Sequence, residues 1–120
     1  MKRLLALLGI VVVLALSAAP AFAADGHMCD HDSTTIESLH HCVMHAQDMG
    51  HITKQGVAKS LMAKVDAAQA SLDRGNAHTA ANQLRAFINE VNAQSGKGIQ
   101  ADHAAHLVMH AEKVIAALGG

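Results

Sequence analysis

The segments Leu39-His40-His41-Cys42-Val43-Met44-His45-Ala46 and His103-Ala104-Ala105-His106-Leu107-Val108-Met109-His110-Ala111 repeat one arrangement. Displaced by 65 positions, His41, Val43, Met44, His45 and Ala46 fall on His106, Val108, Met109, His110 and Ala111. Each copy is a His-x-x-x-His pair. On a helix, residues four apart share a face, with β-carbons about 5–6 Å apart. Two imidazoles so placed can hold one transition-metal ion. An imidazole set suits zinc, copper or nickel, and a thiolate added from Cys42 favours zinc. The candidate ligands are His41, Cys42, His45, His103, His106 and His110, with Cys42, His45, His106 and His110 as the central four and the tail residues as alternates.

These residues need helices to position them, and the apolar spacing supplies four. The first starts near Ser33 or Thr34, with Glu37 three residues after Thr34 as in a capping box, and buries Ile36, Leu39, Val43 and Ala46. Thr53 caps a second helix over about 54–74, with Val57, Leu61, Val65, Ala68 and Leu72 inward. A third covers about 77–94 and buries Ala80, Leu84, Phe87, Ile88 and Val91. The fourth, about 100–118, buries Ala104, Leu107, Val108, Ala111, Val114, Ile115 and Leu118. Gly50, Gly75 and the Ser95-Gly96-Lys97-Gly98 run separate them. Short connections between amphipathic helices predict an all-α, antiparallel four-helix bundle. The short first helix leaves one end of it open.

At 100° per residue, His103, His106 and His110 lie about 80–140° to one side of the apolar stripe of their helix. Cys42 and His45 lie at similar offsets on the first helix, and His40 on the opposite flank. The two sets therefore either face each other across a shared seam or both turn away from it, depending on the handedness of the bundle.

Met1-Lys2-Arg3, the apolar run from Leu4 to Leu16 and the small-x-small end Ala21-Phe22-Ala23 read as a cleaved secretory signal peptide, residues 1–23. Without it the chain holds 7 basic and 10 acidic residues. That balance argues against nucleic acid, whose phosphates need clustered Lys and Arg. Phe87 is then the lone aromatic, which disfavours stacking of bases or sugars. No membrane span is expected after cleavage.

Residues 24–33 read as a mobile tail rich in His, Cys and Asp. Processing one residue later would expose Asp25-Gly26-His27, a square-planar nitrogen set for copper(II) or nickel(II). Cys29 and Cys42, in an oxidising compartment, are candidates for a disulfide, and bridging would remove both from the ligand set.

Ser60-Leu61, Lys64-Val65, Ala68, Leu72, Gly75-Asn76, Ala80, Asn82-Gln83-Leu84, Ala86-Phe87-Ile88-Asn89, Val91, Ala93-Gln94, Gly96-Lys97 and Ile99 resemble the FIMAH domain, a small helical module of bacterial secreted proteins. The likeness spans about Ile36 to Leu118, so residues 34–120 are expected to form a FIMAH-like domain. It implies a fold and a secreted or periplasmic setting. It brings no catalytic residues, and the histidines are this chain's own addition. With no Gly-rich loop, oxyanion nest or Cys-x-x-Cys-His motif, neither an enzyme nor a c-type haem protein is expected. The expected function is binding of a divalent zinc, copper or nickel ion. The alternative is a non-catalytic adaptor whose partner is a cell-envelope protein.

Overall fold

Apolar side chains recurring every three or four residues wind four segments into helices: α1 (Ile36–Asp48), α2 (Gln55–Asp73), α3 (Ala77–Gln94) and α4 (Ala101–Ala117). This is a computed structural model, and it describes residues 29–120. The signal peptide and the Asp25-Gly26-His27 motif lie outside the described residues. Each helix packs on its chain neighbours, and α1 closes against α4, giving an antiparallel four-helix bundle. No described helix is long and apolar enough to cross a membrane.

The predicted stripes form one core. Leu39, Val43, Leu61, Val65, Leu84, Phe87, Val91, Leu107 and Val114 are buried, while Val57, Leu72, Ile88, Val108 and Leu118 sit at its margin. Ser71, also buried, donates to Gln83 Oε1 at 2.9 Å, so its hydroxyl is satisfied between α2 and α3.

Two caps differ from expectation by one residue. Thr35, not Thr34, caps α1, its hydroxyl accepting from the Ser38 N–H at 3.1 Å. Ser38 therefore holds the third helical position and no capping box forms. Lys54 rather than Thr53 precedes α2, because Thr53 is drawn away: its N–H donates to the Gly98 carbonyl at 2.9 Å. Asn76 caps α3 as its place after Gly75 suggests, accepting from the Thr79 N–H.

That Thr53–Gly98 bond belongs to a join between the α1–α2 and α3–α4 connections. Ile52 bridges Ile99, and the Gln100 N–H donates to the His51 carbonyl at 2.9 Å. Both isoleucines are buried and plug this end of the bundle. Gly96, at φ +74°, makes the tight turn that lets its N–H reach the Ile99 carbonyl. The join fixes the relative height of α1 and α4, on which the histidines depend.

The tail requires a larger correction. Residues 29–33 are held against the bundle by the Cys29–Cys42 disulfide and by Lys113, whose Nζ donates to Asp32 Oδ1 at 2.7 Å and to the His31 carbonyl at 3.2 Å. Ser38 Oγ adds a bond to the Asp30 carbonyl at 3.2 Å. Asp32 is almost fully exposed, so its ion pair contributes little and the disulfide is the main anchor.

Candidate metal centre

Cys42 follows Leu39 by three residues and precedes Ala46 by four, so it lies on the inward stripe of α1. His110 holds the same relation to Leu107 and Val114 on α4. Both side chains are buried, Cys42 at 1% and His110 at 0% exposure, although their offsets from the apolar stripe predict flank positions. The reason is the α1–α4 contact, which turns the buried face of each helix toward the shared seam. The seam thus resolves the choice left by the helical offsets: the two polar sets face each other.

At its surface the seam opens into a cavity of about 150 Å³ lined by Cys29, His31, Cys42, His45, His103 and His106, with Ala46 and Leu107 as its apolar wall. The His31 ring lies 5.1 Å from that of His106 and 6.0 Å from that of His110, centroid to centroid. His103 and His106 are 6.1 Å apart. Two imidazoles bound to one ion at 2.0–2.1 Å, with bond angles between a right angle and tetrahedral, have centroids about 4.5–5.2 Å apart, rising to about 6.4 Å when they are opposed. The His31–His106 spacing falls in the lower range, while the other two approach the opposed one.

His51 extends the cluster at the joined end of the bundle. Its ring stacks on His103 with centroids 3.4 Å apart, and its Nδ1 lies 2.8 Å from Gln100 Oε1. An amide oxygen only accepts, so Nδ1 is the donor in this bond.

His110 is the most unusual member. Neither of its ring nitrogens has a hydrogen-bond partner, and both are buried; His103 Nδ1 shares this condition. The Ser33 backbone lies near enough to the His110 ring to favour its protonation, without a hydrogen bond of normal geometry. Burial, and next the neighbouring His31, outweigh that influence and hold His110 below the ordinary histidine pKa. Burial also lowers His31, reinforced by His106 and Lys113, and lowers His103, reinforced by His51, His106 and His31. Three rings are thereby kept neutral, the form that binds metal. One ligating atom each from Cys29, His31, Cys42 and His110 forms a group within 4.8 Å.

Measured against the expected ligands, His45, His103 and His106 share the cavity and His110 lies beside the disulfide. His41 is exposed and does not line the cavity. The expectation that Cys42 supplies a thiolate is corrected: its sulfur is bonded to Cys29 and carries no anionic charge. His31 and His51 join the cluster without belonging to either His-x-x-x-His copy. The bond from Cys29 to Cys42 foreshadows the first, since it brings a histidine two residues away to α1. His40 instead pairs with Asp66 of α2 at 3.3 Å, on the flank its offset predicts.

Residues 36–116 match the family model of the FIMAH domain. No curated protein and no solved structure gives a significant match to the chain.

Proposed function

The chain belongs to the FIMAH domain family, and from that helical scaffold we propose a secreted or periplasmic bacterial protein that binds a zinc, copper or nickel ion through imidazoles at the α1–α4 seam. His31, His106 and His110 form the central ligands, with His45 and His103 on the cavity wall completing the set. The observation that carries this reading is His110, fully buried with both ring nitrogens unpartnered. Leaving a buried polar group unsatisfied costs about 1–3 kcal/mol. A ligand that takes up the lone pair offsets that cost. The disulfide supports the oxidising setting, because such bonds persist outside the reducing cytosol. In this reading the protein binds and does not catalyse.

Calorimetry on tag-free, disulfide-bonded protein at neutral to slightly alkaline pH tests it. Zinc, copper(II) or nickel should bind more tightly than about 100 μM, a modest affinity of about 5.5 kcal/mol. His31→Ala and His106→Ala should each weaken binding, and the double variant should lose less than the sum if both hold one ion. His78→Ala, on the exposed start of α3, should change nothing. Absence of binding by all three metals would refute the proposal.

The adaptor reading draws on a different observation. Met44, Met49 and Met109 are large apolar side chains left exposed, and methionine surfaces accommodate varied partners. Metal-independent capture of a single envelope protein, lost on replacing Met44 and Met109 with Gln, would favour it.

A further inference from the structure

We propose that reduction of the Cys29–Cys42 disulfide creates a second coordination state at this seam, a two-sulfur, two-nitrogen site for zinc built from Cys29, Cys42, His31 and His110. The inference rests on the metal-binding reading of His31 and His110 and adds to it a ligand exchange controlled by the redox state of the chain. Its basis is positional. The four ligating atoms come from the tail, α1 and α4, and all lie within 4.8 Å of one another. A tetrahedral zinc with Zn–S near 2.3 Å and Zn–N near 2.0–2.1 Å needs separations of about 3.3–3.8 Å between ligating atoms. Cys29 Sγ and His31 Nδ1 are already 3.7 Å apart, against about 3.6 Å for such a sulfur–nitrogen edge. What reduction must add is the opening of the two sulfurs to about 3.8 Å. Cys29 lies in a non-helical segment before α1, which can yield without disturbing a helix.

The chemistry needs a dithiol reductant. Its thiolate attacks Cys29 Sγ, the partly exposed sulfur on the cavity wall, and the S–S bond breaks with Cys42 leaving as thiolate. The second thiol of the reductant then attacks the mixed disulfide and releases Cys29. Two electrons pass from the dithiol, which becomes a disulfide, and two protons accompany them to give two thiols. Binding of the divalent ion displaces those two protons to solvent, leaving two thiolates whose charge the ion balances. His110 gains a partner for its buried lone pair, and the ion replaces the disulfide as the link between tail, α1 and α4.

The oxidised and reduced forms would then differ in preference. Imidazoles alone accept copper(II) and nickel, whereas thiolates favour zinc.

Cobalt(II), a spectroscopic stand-in for zinc, tests the proposal. Protein reduced with a phosphine and titrated with cobalt(II) should develop a thiolate-to-cobalt charge-transfer band and strong tetrahedral d–d absorption, saturating at one ion per chain. The oxidised protein should show no charge-transfer band. Cys29→Ser should weaken the band, and His31→Ala should reduce cobalt affinity at least about tenfold while leaving both thiols titratable. Circular dichroism on the same samples follows the fold. If reduction loosens α1, cobalt should restore its helicity.

Reduced protein with no charge-transfer band, or with one unaffected by His31→Ala, would overturn the four-ligand site. So would a reduced chain that unfolds and is not recovered by cobalt. Failure here with calorimetric binding intact in the oxidised form removes this inference alone. A cobalt band in reduced protein whose oxidised form binds no metal removes only the imidazole reading.

Discussion

His110 shows what a buried polar side chain without a partner costs a fold. Buried and unpartnered, it favours its neutral form. With the folded-state pKa of His110, His31 and His103 below the ordinary value of 6.5, the unfolded chain binds more protons than the folded one as pH falls past that value. Stability is therefore complete above about 6.5 and is lost as pH drops toward the lowered pKa values. Melting of metal-free protein at pH 7.5 and pH 5 should show the lower temperature in acid. His110→Leu, which fills the site without a titrating ring, should flatten that acid limb and stabilise metal-free protein by on the order of 1 kcal/mol. The same variant should bind metal much more weakly. A clear loss of stability instead would mean that the ring is satisfied in solution and is not waiting for an ion. That His106 and His110 share one face of α4 is legible from their spacing, but the depth of His110 is not. Both His110 and Cys42 repeat the core spacing of their helices. A stripe centred on apolar residues alone underestimates how far that spacing carries a polar side chain inward.

At the scale of the elements, spacing gives the number, order and inward faces of the helices, because three- and four-residue periodicity is a local property. The caps are less legible, since they depend on partners distant in sequence: Thr53 is withdrawn from α2 by Gly98. Thr35→Ala should destabilise α1 by about 1 kcal/mol, as loss of a threonine cap does, whereas Thr34→Ala should have little effect on the melting temperature. The tail is the element least readable from composition, because a polar run of this kind lacks periodicity whether it is anchored or free. Its anchor is covalent. Intact mass should rise by two hydrogens on reduction, and without metal the reduced protein should be less stable by about 3 kcal/mol in the chain-entropy description of a loop this size. Equal denaturant midpoints before and after reduction would show that Lys113 and the local contacts suffice to hold the tail.

For the whole molecule, the family match over residues 36–116 accounts for the bundle and leaves the tail outside it. The cluster is assembled where this added segment meets the last helix, so the family's general features do not reveal it. His31 and Cys29 approach α4 only when the two ends of the chain meet, a closure that the Ile52–Ile99 join prepares from the opposite end of α1. The meeting of α1 with α4 is also the least local of the bundle's contacts. The α2–α3 hairpin closes over a short turn, while the α1–α4 seam must wait for most of the chain to be ordered. An ion bound at that seam would link parts distant in sequence, whose contacts are expected to form late in folding. It should therefore act as a brake on opening: stopped-flow refolding rates should be nearly unchanged by zinc, while unfolding in denaturant slows in proportion to the stability gained. On the metal-binding reading, the lifetime of the closed molecule, more than its speed of formation, is the quantity that the surrounding metal concentration would set.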